Sequence, residues 1–283
     1  MTSPHDPIPS DSCTFLDVST PPQVIPPAPE PEGAPPHPSL EGPPWNGWDI
    51  VLLVAAAFFF LAFVGGIVLG VAAHLYGGAV TPADLSREPK VLVPAQALSY
   101  LALLVFMGVL VRLRYRARFW ETICWRWPAG ADWLKYVAGG ILLAGVIQAL
   151  SYLFPMPPSL PIDKFFRDAT SAWLLAGFGI LVAPPVEELF YRGFLYPVLA
   201  RPLGTFGAVV LTSIPFALMH ASQLGSAWAP LLMLFLVSVA LTLTRAKTGS
   251  VAASVLMHMA YNTTLFTMLF IATDHFQHLE KAL

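Results

Sequence analysis

The sequence predicts an all-α, polytopic transmembrane helix bundle of about seven spans, with eight possible, preceded by a disordered Pro-rich N-terminal tail. Three observations lead there. Apolar residues make up 56% of the chain and charged residues only 11%, with a mean hydropathy of +0.65, whereas a soluble domain carries about a quarter charged residues. From Trp48 onward, apolar segments long enough to cross a hydrocarbon layer of about 30 Å recur between short polar loops. Half of the 28 prolines fall before the first of these segments.

Residues 1–46 carry runs such as PPQVIPPAPEPEGAPPHP and few aromatic or branched apolar side chains. A segment of this kind buries too little apolar surface to offset the entropy of ordering, so a tail with polyproline character is expected. A solvated tether is the simpler reading, and a Pro-binding partner is the alternative. Residues 47–283 form the transmembrane domain. No basic stretch leads into a short apolar core and a small-residue cleavage site, so the first span is expected to act as the membrane-targeting signal. The two cysteines, Cys13 and Cys124, are too few for a disulfide framework or a thiolate metal site and carry no redox information.

The spans are placed near 50–74, 92–111, 134–154, 171–200, 205–223, 230–246 and 250–272. The fourth is the least uniform, because Pro184, Pro185 and a charged cluster interrupt it, and a kink is expected there. Arg112, Arg114, Arg116, Arg118 and Arg126 crowd the loop between the second and third spans, which the positive-inside rule assigns to the cytoplasm. The same assignment sends Arg192, Arg201, Arg245 and Lys247 towards that side and Arg87, Lys90, Lys164, Arg167 and Lys281 to the other, with the N-terminus cytoplasmic. Trp45, Trp48, Trp120, Trp125, Trp127 and Trp133 flank the spans, where aromatic side chains favour the headgroup layer. With a net charge of −2, no long basic run and no Gly-rich phosphate loop, neither nucleic acid nor nucleotide is an expected partner.

Charged and imidazole side chains inside a bilayer are costly and mark functional sites by default. Here they occur in three late segments: Glu187, Glu188 and Arg192 in VEELFYR, His220 in FALMH, and His258 with Asn262 in HMAYN. Glu188 and Arg192 are four apart on one helical face and are expected to pair, whereas Glu187 lies about 100° around the helix and can point elsewhere. Counted from Gly204 and Gly249 at about 1.5 Å per residue, Glu187 and His220 lie roughly 25 Å deep, Asn262 roughly 20 Å and His258 roughly 14 Å. A carboxylate, two imidazoles and an amide in one low-dielectric hollow suit amide hydrolysis. Glu187 would take a proton from water, His220 would orient that water, and His258 with Asn262 would donate to the developing oxyanion.

These three motifs, EELFYR, FALMH and HMAYN, resemble those of the CPBP (CAAX prenyl protease and bacteriocin-processing, or Abi) family of intramembrane proteases. The resemblance covers about residues 134–272. It implies a helical membrane endopeptidase in which Glu187 and His220 activate water and His258 and Asn262 form the oxyanion site, with Glu188 and Arg192 supporting the geometry. It also implies a membrane-associated or lipidated, CAAX-like protein or peptide as substrate, in a membrane-lipid environment. Family members have been described both as metal-dependent and as glutamate-dependent. Glu187, His220 and His258 would supply a two-His, one-carboxylate set for one divalent metal, with zinc the natural choice. No HExxH helix is present and Asn262 fits an oxyanion donor, so no cofactor is the favoured expectation. Two other classes use the same residue types: a proton-coupled transporter, and a non-catalytic membrane scaffold or immunity protein. His275 and His278 near the C-terminus are expected to be solvated.

Overall fold

A computed structural model of the protein describes residues 43–77 and 80–281. The expected tail therefore lies outside the described residues, except for its last few positions. Among the described residues the regular structure is entirely helical, with six stretches long and apolar enough to cross a membrane. The first three are α1 (Gly47–Leu75), α2 (Pro89–Arg114) and α3 (Trp133–Ser151). The fourth, Ala169–Met219, contains 51 residues. As one straight helix it would measure about 75 Å, well over twice the hydrocarbon thickness.

Gly204 resolves this excess. Its φ of 64° with ψ of −178° is non-helical and lies in a region that only glycine occupies without strain. The chain reverses there. The Tyr191 ring packs on Phe216 at 5.2 Å, and the Tyr191 hydroxyl donates to the Pro215 carbonyl at 3.4 Å. Residues so far apart in sequence meet only across a hairpin. The stretch is thus two spans, α4 (residues 169–203) and α5 (residues 205–219). The last two spans are α6 (Trp228–Thr248), closed by Gly249 at a left-handed φ of 64°, and α7 (Val251–Ala272), capped by Ser250.

α1 turns Phe58, Phe59, Phe63 and Ile67 outwards and packs on α2 along one face, through Leu53, Ala57 and Phe60. Its first turn is different. Asn46 and Asp49 cap each other's backbone, and the buried Asp49 carboxylate accepts from the Tyr115 hydroxyl at 2.6 Å and pairs with Arg114 at 3.3 Å, fastening the start of α1 to the end of α2. Trp45 departs from the interfacial placement expected of it. It is fully buried, packs on the Phe194 ring and donates Nε1–H to the Phe194 carbonyl at 3.1 Å. Trp48, Trp120, Trp127 and Trp133 are exposed.

The arginine-rich segment after α2, Trp45, Arg201 and the start of α7 share one end of the bundle. Arg201 donates to the Trp45 carbonyl, and the Val251 amide and Ser250 hydroxyl donate to the Cys124 and Arg126 carbonyls. Arg192 and Arg245, assigned towards that side, are fully buried among the helices, Arg192 in the pair with Glu188 expected of it. Cys124 is buried there, and Cys13 lies outside the described residues. At the opposite end Lys90 pairs with Asp168 at 2.9 Å and Arg167 with Glu88 at 3.2 Å, tying α2 to the start of α4. The Ser171 amide and the Lys90 ammonium hold the Asp168 carboxyl down at about 2, so that pair keeps its charges through the physiological range.

α7 carries two of the expected site residues and packs along α3. Gly140 permits the contact: a Cβ there would sit 2.7 Å from Ala260 Cβ and 2.9 Å from the Tyr261 nitrogen, and would also strike the Met257 carbonyl. Backbone cannot yield as a flexible side chain can. Gly140→Ala is expected to lower stability by about 1–3 kcal/mol, read as a fall in Tm in detergent. Gly145→Ala, with nothing nearby to strike, should leave Tm unchanged.

Candidate active site

The EE motif sits in a single α-helical turn, Ala183–Glu188, between two π-helical segments, Phe178–Val182 and Leu189–Leu195. Pro184 and Pro185 account for the first of these. Neither carries an N–H, so the carbonyls of Ile180 and Leu181 lose their usual donors four residues on. The Ala183 amide bonds back to Phe178 in the wider π register, which leaves the Gly179 carbonyl without a donor as well. Asn262 on α7 fills that place, donating Nδ2–H to Gly179 at 2.6 Å. A side chain at Gly179 would press on Phe266 at 2.8 Å, so glycine is what lets α7 come this close. π-helical insertions of this kind concentrate at functional sites.

The two adjacent glutamates diverge, as their 100° offset predicts. Glu188 is fully buried, and its Oε1 accepts from Arg192 Nη1 at 2.8 Å and from His258 Nδ1 at 2.9 Å. Arg192 is fully committed: Nη2 donates to the Ser238 hydroxyl at 2.7 Å and the Ser238 carbonyl at 3.0 Å, Nε donates to Thr242 at 3.2 Å, and the guanidinium lies 4.8 Å over the Phe216 ring. One ion pair thereby links α4, α6 and α7. Glu187 takes no part in it. Its Oε1 accepts from the Tyr100 hydroxyl of α2 at 3.3 Å, and the residue is 8% exposed.

His220 is the first residue beyond the last turn of α5, with φ −92° and ψ 2°. Its Nδ1 lies 2.9 Å from the Phe216 carbonyl, and a carbonyl can only accept. The proton therefore sits on Nδ1 and the Nε2 lone pair is left open. The α4–α5 hairpin sets Tyr191 against Phe216, and Glu187 and His220 each lie four residues further from Gly204 on their own arm. Phe216 forms the floor between the imidazoles, 5.2 Å from the His220 ring and 5.9 Å from that of His258.

The structure changes the expected depths. His258 was placed well short of the glutamates, yet it bonds directly to Glu188, while Asn262 reaches Gly179 beyond them. The count assumed α-helical rise throughout and helix ends at one level, and the shorter π-helical turns of Leu189–Leu195 violate the first assumption. The free groups also change. His258 Nδ1–H is spent on Glu188 and one Asn262 N–H on Gly179, so only His258 Nε2 and the second Asn262 N–H remain for a ligand. Glu187, His220 and His258 do not form a metal site as placed: among the described residues no three His, Cys, Asp or Glu side chains are grouped to hold an ion. His275 and His278 are solvent-facing and bond to the neighbouring Asp274 and Glu280.

Tyr100 was missed by sequence reasoning. Its one signal was a hydroxyl beside Gln96 and Ser99 in a mainly apolar span, which does not distinguish a site residue from an interfacial tyrosine. Asp49 was missed too, although an acid at the start of a first span is a stronger signal.

Comparison with known proteins adds one finding. Residues 169–264 match a family model described as Type II CAAX prenyl endopeptidase Rce1-like. The matched stretch runs from the start of α4 into α7 and includes Glu187, Glu188, Arg192, His220, His258 and Asn262. No curated protein and no solved structure gives a significant match.

Proposed function

Because residues 169–264 belong to the type II CAAX prenyl endopeptidase family, we propose that this multi-pass membrane protein hydrolyses a peptide bond near the C-terminus of a prenylated, CAAX-like protein or peptide. The observation that carries the mechanism is the division between the adjacent glutamates. Glu188 is bound to a guanidinium and an imidazole, whereas Glu187 has only a neutral hydroxyl as partner and keeps a carboxylate oxygen for chemistry.

In the proposed reaction Glu187 removes a proton from a water held by the Nε2 lone pair of His220. The hydroxide oxygen adds to the scissile carbonyl carbon, and the carbonyl electrons move onto oxygen. Asn262 donates its second N–H to that oxyanion. His258 can donate from Nε2 only as an imidazolium, since Nδ1–H faces Glu188. The proton on Glu187 then passes to the amide nitrogen, the C–N bond breaks, and the carboxylic acid product gives its proton to the departing amine, so that a carboxylate and an ammonium leave. No covalent intermediate and no metal is needed.

Detergent-purified protein should cleave a farnesylated CAAX peptide and leave the unprenylated peptide and leader-type peptides largely intact. His220→Ala is expected to lose roughly 10²- to 10⁴-fold in kcat, the range for a positioned acid–base group, and a metal chelator should have no effect. Equal cleavage by His220→Ala would remove the mechanism. Proton-driven solute flux in proteoliposomes without cleavage would favour the transporter class instead.

A further inference from the structure

We propose that Tyr100, which lies on α2 and outside the matched residues 169–264, is a positioning residue for Glu187, so that α2, one of the three spans before the matched segment, completes the site. The inference rests on the reading of Glu187 as the proton acceptor. The Tyr100 hydroxyl donates to Oε1 of Glu187 at 3.3 Å, which leaves Oε2 to face the water. The phenol ring is set by Phe178, the first residue of the π segment, at 5.5 Å.

The helix that carries Tyr100 is held along its length. Ser99, its neighbour in sequence, donates to the Phe60 carbonyl of α1 at 3.2 Å as well as to Ala95 in its own helix at 2.7 Å. The Lys90–Asp168 and Arg167–Glu88 pairs anchor one end of α2 to α4, and the buried Asp49 anchors the other end to α1. Tyr100 therefore cannot drift from Glu187 without breaking contacts at three levels.

The chemistry favours a tyrosine here. A cation beside Glu187 would neutralise it, as Arg192 does for Glu188. A bare carboxylate would instead rotate freely about its terminal torsion, which has broad wells. A neutral hydroxyl restricts that rotation and leaves the charge in place. The same bond in both ground and transition states would merely fold the site; one that aims the reacting oxygen acts on kcat.

The test uses the full chain in detergent with the farnesylated peptide. Tyr100→Phe keeps the ring contact with Phe178 and deletes only the hydroxyl. The expected result is a fall in kcat of roughly tenfold or more, the scale of a hydrogen bond to a charged group, with KM within about twofold and Tm unchanged. Wild-type kcat in Tyr100→Phe overturns the proposal. So does a fall in kcat that tracks a fall in Tm, since that marks a packing role. Glu187→Gln in the same assay separates the two ideas: full activity there overturns the underlying reading together with this one, whereas an inactive Glu187→Gln beside an unimpaired Tyr100→Phe overturns this one alone.

Discussion

Glu187→Gln is expected to fold with a wild-type Tm and to lose roughly 10²- to 10⁴-fold in kcat, the contribution typical of a general base. The two side chains have nearly the same shape, and the glutamine carbonyl can still accept from Tyr100. What disappears is the ability to take a proton from water and return it to the leaving amine. Because Glu187 stands apart from the Glu188–Arg192–His258 cluster, no buried charge is left uncompensated by the change. Thermal unfolding and peptide cleavage on the same preparation give both readouts. Activity within twofold of wild type would show that the proton goes elsewhere.

Arg192→Ala should have the opposite signature, a collapse of stability. The guanidinium is fully buried and meets Glu188, Ser238 and Thr242 through three separate nitrogens. Its removal leaves the fully buried Glu188 carboxylate without its guanidinium. Breaking a buried pair from one side costs about 3–5 kcal/mol. The expected outcome is a large drop in Tm or a failure to accumulate in the membrane. Arg192→Lys retains the charge but cannot reach all three partners at once, so it should fall between the two. The double variant Glu188→Gln with Arg192→Met should be less damaged than the single Arg192→Ala, because no charge is then stranded. A double variant worse than either single change would contradict the buried-pair account.

The two glutamates also show how far the sequence could be read. The four-residue spacing in EELFYR fixes the Glu188–Arg192 pair, because i and i+4 share a face of any helix. Adjacency sends Glu187 elsewhere for the same reason. The membrane spans were legible from apolar length, and Gly204 marked the turn that makes two spans of one long helical stretch. The partner chosen by each group was not legible. His258 was expected to donate to a substrate oxygen, and its Nδ1–H is taken by Glu188. Asn262 meets Gly179 only because Pro184 and Pro185 shift the backbone into a π register.

What the sequence determined by itself was therefore everything set by spacing along one helix and by transfer from water to lipid: a polytopic helical chain, its buried ion pair, and the polar residues gathered in its last four spans. What only the tertiary structure decided was which side chain meets which across helices: Tyr100 on Glu187, His258 on Glu188, Trp45 under Phe194. The physical reason is range. Helical periodicity and hydrophobic transfer act within a few residues or along one segment, whereas contacts between spans depend on the hairpin at Gly204, the width of the π turns and the close approach at Gly140 and Gly179, and no short stretch of chain encodes these together.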